Sequence, residues 1–268
     1  MKKLIKNTIY LCLIFAICTF LFTPNTNHKP KRRTFADVVP SELELQEYQE
    51  LEHGIPTSIS NELPDDFSKP TDTSPSKNYT IVIDAGHGGP DPGSIGFKTK
   101  TYEADLNLKI SNMLKEKLEA SEINVVLTRK SEDALADGRG RAFKKKDMEM
   151  RKEIIKESRP NMVISIHQNS FTNHSLRGAQ VFYDKTSDIS KQIAELIQKE
   201  FQTGLEHANK CVSPGDYYML KCTSAPSVIV ECGFLSNETE EAMLLTHEYQ
   251  EKIVNSIYLG IINFLQIK

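Results

Sequence analysis

The 268-residue chain has no tryptophan, and its cysteines offer no framework. Cys211, Cys222 and Cys232 form an odd set without C-x-x-C spacing, which excludes a disulfide scaffold and a zinc knuckle and leaves buried free thiols as the expectation. Cys12 and Cys18 lie in an apolar run without a lipoprotein-type context. Neither sign of charge dominates: 33 Lys and Arg against 36 Asp and Glu give a net charge of −3 and a pI near 6.2. That balance gives no general basis for nucleic acid as a partner. Several catalytic signatures are missing too. There is no H-E-x-x-H helix, no phosphate loop and no nucleophile elbow, and "GHGGPDPG" does not meet the G-x-G-x-x-G spacing of a dinucleotide loop. Cys232 as a nucleophile is a minor reading. No internal repeat is visible.

Long apolar runs are scarce. The longest, "TIYLCLIFAICTFLFT" over 8–23, has roughly 16 residues behind the basic head "MKKLIKN". Its length lies between a signal-peptide core and a full span of about 20 residues. Residues 1–23 therefore read as a signal peptide or membrane anchor. The anchor is favoured because no small-x-small cleavage site follows. Orientation is balanced between Lys2, Lys3 and Lys6 on one flank and "KPKRR" (29–33) on the other, so export has to be inferred from the chemistry downstream. Residues 24–78 are rich in Pro, Ser, Thr, Asn and Asp and read as a flexible linker, with one short acidic helix expected in "SELELQEYQELE". A coil of that length spans roughly 40 Å.

From residue 79 to 268 strand and helix signals alternate. Apolar, β-branched runs occur at 80–86, 124–129, 162–169, 179–184 and 227–234, and "YYML" (217–220) reads as a sixth, shorter strand. Amphipathic spacing marks helices over 103–120, 148–158, 187–205 and 249–266. The expected fold is α/β: a twisted, mostly parallel sheet of about six strands with helices on both faces. Ligands of such sheets bind beyond the C-terminal ends of the strands.

The unusual residues fall at those ends. His87 follows the first strand within "IVIDAGHGGPDPG", and His167 closes the third in "ISIHQNS". Glu231 lies late in "SVIVECGF", and Glu103 opens the first long helix. Each has an ordinary reading: a loop histidine, a core histidine, a helix N-terminal acid favoured by the macrodipole. Glu231 is the hardest to dismiss, since an acid inside an apolar strand is costly to bury without a partner. Two imidazoles and two carboxylates together suit one Zn²⁺ with an open water position, the second carboxylate taking the proton of an attacking water. The basic run "GRGRAFKKK" (138–146) reads as a solvated face rather than a grip on an anionic polymer.

"IDAGHGGPDPG", the glutamate of "YEADLNL", "SIHQNS" followed by "GAQVFY", and "VIVECGFLSN" resemble the zinc-dependent N-acetylmuramoyl-L-alanine amidases of the amidase-3 type, over about 79–268. The resemblance implies a phosphorylase/hydrolase-like α/β fold, one Zn²⁺ per chain held by His87, Glu103 and His167, and Glu231 as the catalytic carboxylate. It implies hydrolysis of the amide between the lactyl group of N-acetylmuramic acid and L-alanine of the peptidoglycan stem. More narrowly, the N-terminal segment, the single catalytic domain and "DMEMR" (147–151) resemble the sporulation branch, whose members act in the muramic-lactam pathway of the spore cortex and in germination; the cyclising step itself is not expected of this chain. On that reading the protein is exported, anchored or secreted on the cell-wall side in the forespore or cortex space, with peptidoglycan as substrate. Asp84 has two readings, as hydrogen-bond support for a ligand histidine or, the commoner use, as a partner of the strand-end turn. The loop "HQNSFTNHSLRGAQ" is short where some relatives carry a helical plug, so restraint is expected from a regulatory partner protein, weak metal affinity or timing of synthesis. The alternatives are a zinc peptidase acting elsewhere in the stem and a non-catalytic wall-binding protein.

Overall fold

The apolar runs of the sequence are too uninterrupted for a sheet wetted on one side, and in the computed structural model they form a sheet covered on both. The structure describes residues 79–267; the apolar segment over 1–23 and the linker over 24–78 lie outside the described residues. In chain order the elements are β1 (Thr80–Ala85), α1 (Glu103–Glu119), β2 (Asn124–Leu127), α2 (Gly140–Ser158), β3 (Met162–Asn169) and β4 (Gln180–Tyr183), then α3 (Asp188–Gly204), β5 (Ser213–Pro214), α4 (Tyr218–Lys221), β6 (Ser227–Phe234), α5 (Glu238–Leu244) and α6 (His247–Ile267). The strand order is β2-β1-β3-β6-β4-β5. β2, β1, β3 and β6 run parallel, β4 is antiparallel to β6, and β5 is parallel to β4.

Strand alternation divides the sheet into two unlike faces. Ile81 and Ile83 of β1, Ile164 and Ile166 of β3, Val228 and Val230 of β6 and Val181 of β4 point to one side and join a single apolar cluster. That side is covered by the apolar stripes of α1 (Ile110, Leu114, Leu118), α3 (Ile193, Ile197, Phe201) and α6 (Ile253, Ile257, Ile261). The other side begins as apolar and turns polar towards the C-terminal ends: Val82 then Asp84, Val163 then Ser165 and His167, Ile229 then Glu231. The register pairs Asp84 with Ser165 and His167 with Glu231, so these residues stand side by side. α2 and α4 lie over this second face.

The sequence reading needs four corrections. The three described cysteines are free, but Cys211 is exposed and Cys222 half-buried, so only Cys232 is the buried thiol expected. "YYML" is not a strand: Tyr218–Lys221 is a helical turn with Met219 and Leu220 buried, and the sixth strand is the two-residue Ser213–Pro214 at the sheet edge. A four-residue apolar run does not distinguish a strand from a buried helical turn, and proline is admissible at an edge. The helix expected over 148–158 starts at Gly140, because the basic run supplies its first turns and buries Phe143. Helix α5 was not anticipated. Its signal is a capping residue, Asn237, whose side chain accepts from the Glu240 N–H at 3.0 Å. The connection from β3 to β4 contains no helix, as the short loop implied.

Glu240 is fully buried and ties that connection to the end of β6: its carboxylate accepts from Gly178 N at 3.0 Å and from Phe234 N at 2.8 Å. Truncation to Ala strands both N–H groups. At about 1–3 kcal/mol each, Glu240→Ala should lower stability by about 2–6 kcal/mol in urea denaturation, and Glu240→Gln, which keeps one acceptor, should lose less.

Candidate metal centre

β1 is followed by Gly86, whose N–H donates to Ile166 O at 3.1 Å and holds the turn against β3. A Cβ at Gly86 would lie 2.2 Å from Cε1 of His167, so only glycine lets the His167 ring lie across this turn. His87 follows in the left-handed region with φ of 62°. A side chain there carries strain of order 1–3 kcal/mol, offset by its carbonyl accepting from Arg151 Nη2 at 2.6 Å. The loop then turns back through Gly93, where a Cβ would come 2.6 Å from Glu103 Oε2, and α1 starts at Glu103 itself.

Three side chains meet at this point. His167 Nδ1 is 2.9 Å from Glu103 Oε1, and His87 Nε2 is 3.3 Å from the same oxygen. The two rings stand edge to face, 5.0 Å between centroids. Ligand atoms of His87, Glu103 and His167 all lie within 4.8 Å of one another. The donor set, two imidazole nitrogens and one carboxylate oxygen, fits a divalent cation of the zinc type. Glu103 Oε2 is held by Ser94 N at 2.7 Å, while Oε1 accepts from Gln168 N at 3.2 Å. The carboxylate hydrogen-bonded to Nδ1 of His87 is Asp91, at 3.0 Å, which fixes that ring with Nε2 towards Glu103. Glu231 lies beside His167 in register, is 1% exposed, and its Oε2 has no hydrogen-bond partner among the described residues.

The two glutamates titrate in opposite directions. Burial would raise Glu103, but the charges and hydrogen bonds of His87 and His167 outweigh it and hold its carboxyl well below the usual range. Glu231 is pushed well above its usual value by burial and by the Glu103 charge, with His87 opposing weakly. Burial would lower His87, yet Glu103 and the Asp91 hydrogen bond lift it to about 10. A proton and a divalent cation compete for those same nitrogens. Two carboxyls whose surroundings push them in opposite directions are the arrangement that acid–base chemistry uses.

Behind the cluster lie two buried arginines that the sequence reading did not place in the site. Arg151 pairs with Asp84 at 2.7 Å and with Asp147 at 2.8 Å, and donates to the carbonyls of Ala85 and His87. Asp84 also accepts from Thr128 Oγ1 at 2.6 Å and Ser165 Oγ at 2.7 Å. Asp84 thus fastens the strand ends and Arg151, and it reaches the His87 backbone through that arginine. The signal for Arg151 was present in "DMEMR", where Asp147 and Arg151 are four residues apart on one helix face. Asp91 was equally visible in "GHGGPDPG", but nothing local shows that the loop folds back onto His87. Cys232 faces the apolar cluster, and burial together with the neighbouring Glu231 raises its thiol, which removes it as a nucleophile. The rim of the site is the hairpin over 94–102, bridged between Ile95 and Tyr102, with Ile95, Phe97 and Tyr102 exposed. Glu241 of α5 clips its tip by accepting from Lys98 N and Thr99 N, both at 2.9 Å.

Residues 81–263 match the family described as N-acetylmuramoyl-L-alanine amidase. The germination-specific N-acetylmuramoyl-L-alanine amidase of Bacillus subtilis (strain 168) is 32% identical over 198 residues, covering 72% of this chain and 83% of the relative. The structure of the CwlD amidase from Clostridioides difficile in complex with the GerS lipoprotein is similar with a TM-score of 0.69 at 41% identity, covering 71% of this chain and 100% of that one. The catalytic domain of CwlV, an N-acetylmuramoyl-L-alanine amidase from Bacillus (Paenibacillus) polymyxa var. colistinus, gives 0.63 at 29% identity over 71% of this chain and 99% of its own.

Burial would raise Asp84, but Arg151 and the two hydroxyl hydrogen bonds lower it to about 2. A depressed folded-state value means that its contribution is present above the usual 3.8 and is lost as pH falls through about 2. Asp84→Asn should cost about 3–5 kcal/mol at neutral pH by leaving part of the Arg151 charge unpaired. The same variant should flatten the loss of stability between about pH 4 and pH 2, measured by urea denaturation across that range. An unchanged slope would show that the pair does not carry it.

Proposed function

The chain belongs to the N-acetylmuramoyl-L-alanine amidase family, and on that premise we propose that it is a single-zinc hydrolase in which His87, Glu103 and His167 hold the ion and Glu231 moves the proton. The reaction is hydrolysis of the amide joining the lactyl group of N-acetylmuramic acid to the L-alanine of the peptidoglycan stem peptide. Zinc, when bound by this donor set, supplies Lewis acidity for the scissile carbonyl and for an attacking water. Everything else is performed by the chain. Asp91 holds the His87 ring, and Ser94 and Gln168 orient the Glu103 carboxylate through their backbone N–H groups. Glu231 takes the proton of the attacking water and hands one to the leaving amine of L-alanine. A nearby dication would favour the charged form of Glu231 and so oppose the upward push of burial and of Glu103.

The observation that carries this reading is geometric: ligand atoms of His87, Glu103 and His167 lie within 4.8 Å of one another, and the buried Glu231 stands beside His167 in register. A wall-binding protein without catalysis has no use for a buried acid whose Oε2 lacks a partner. The germination-specific relative supports action on peptidoglycan at germination; action on the cell-wall side in the spore cortex, with the apolar run over 1–23 as anchor or secretion signal, belongs to the same proposal. Among the described residues no helix is long and apolar enough to cross a membrane. The lipoprotein bound to the C. difficile relative supports a protein partner for this chain as well.

Purified protein incubated with peptidoglycan should release intact stem peptides and leave stripped glycan in muropeptide mass spectrometry; shortened stems would instead identify a peptidase. Glu231→Gln should reduce turnover about 10²–10⁴-fold with circular dichroism and zinc content unchanged. Chelation should abolish turnover and added Zn²⁺ restore it; full activity after rigorous demetallation would end the metal assignment.

A further inference from the structure

Arg129, just beyond β2, is 2% exposed, yet among the described residues no carboxylate pairs with it. Its hydrogen bonds go to main-chain carbonyls: Nε to Ala85 at 2.9 Å, Nη1 to Ser131 at 2.8 Å, and Nη2 to Gly86 at 3.0 Å and Ala104 at 2.6 Å. Ala85 and Gly86 immediately precede His87, and Ala104 immediately follows Glu103. One guanidinium therefore spans the two backbone segments that deliver two of the three candidate ligands. The loop closes over its stem, since a Cβ on Gly88 would lie 3.1 Å from Arg129 Cδ.

The charge of Arg129 does not explain its presence. Burial, and then the neighbouring Arg151, lower its pKa to about 10, against the pull of Asp84, Asp105 and Asp147. A buried cation without a carboxylate is unfavourable, and placed behind a divalent cation it repels that ion as well. What remains is shape. The guanidinium offers five N–H groups in a rigid planar fork, which an ammonium does not reproduce.

We propose that Arg129 is a positioning residue for the metal centre, whose fork sets the separation of the His87 loop from the Glu103 turn and thereby the affinity for the ion. This rests on the reading that His87, Glu103 and His167 hold zinc. Arg129→Lys separates the two contributions, because it keeps the charge and loses the fork. Arg129→Gln loses the charge and most of the fork. Phe201→Leu, in the apolar core under the opposite face, serves as a control for general loosening.

The test titrates Zn²⁺ into the metal-free full chain against a chromophoric chelator, with urea denaturation of each metal-free variant alongside. Visible absorption of the Co²⁺-substituted protein reports ligand geometry. Arg129→Lys should bind Zn²⁺ about 10–100-fold more weakly and alter the Co²⁺ bands. Its kcat at saturating Zn²⁺ should return to within a few-fold of the parent, and Arg129→Gln should also bind more weakly. Phe201→Leu should retain parental affinity. Parental Zn²⁺ affinity in Arg129→Lys, tighter binding in Arg129→Gln, or an equal loss in Phe201→Leu would each overturn the inference. Failure of both Arg129 variants to fold would do the same, by making the residue purely structural. A parent chain that binds no Zn²⁺ fails differently, since it overturns the metal reading on which the inference rests.

Discussion

A single oxygen atom, Oε1 of Glu103, is the point on which the site depends. It faces a ring nitrogen from His87, a ring nitrogen from His167 and the backbone N–H of Gln168. These come from the loop after β1 and from the end of β3, so one acceptor at the start of α1 joins three separate parts of the chain. Buried anions are tolerated only when surrounded by donors, and here the donors are the catalytic candidates themselves. The arrangement is therefore both a structural solution and a chemical one: the groups that neutralise Glu103 are those that, with it, can surround a cation.

The sheet makes this economical. Parity along each strand sends branched aliphatic residues to α1, α3 and α6, and leaves the other face free to become polar near the strand ends. Asp84, Ser165, His167 and Glu231 occupy that face on three adjacent strands, in register. The rigid side of the sheet thus fixes the positions of the reactive side. Arg151 and Arg129 complete the support from below, one through carboxylates and one through carbonyls alone.

Much of this was legible in the sequence, for a physical reason in each case. Strands buried on both faces announce themselves as uninterrupted β-branched runs, and a charged residue inside one, such as Glu231, marks a site because burial penalises it. Glycines around His87 signalled close approach, which the contact of Gly86 with the His167 ring explains. What was not legible depended on distance in the chain. Asp91 returns to His87 only because the loop folds back on itself, and Arg129 and Arg151 reach the β1 end from 43 and 64 residues away. The short run at 217–220 failed for the opposite reason: four apolar residues carry too little periodicity to separate a turn of helix from a strand. Helix α5 was missed because its evidence is a cap and three acids rather than an apolar stripe.

The hairpin beside the metal centre is tied to α5 by the carboxylate of Glu241, and Ile95, Phe97 and Tyr102 on it are exposed, Phe97 resting on the His174 ring. It is fastened at three further points: Phe97 N–H donates to Leu235 O at 3.1 Å, Lys98 pairs with Glu238 at 3.2 Å, and Ser94 N–H at its base holds Glu103 Oε2 at 2.7 Å. Descendants of this chain can recolour the exposed tip over 97–100, whereas Ser94 at the base is bound to the chemistry beneath it. Diversification towards different wall architectures has, in this scaffold, an inexpensive place to begin.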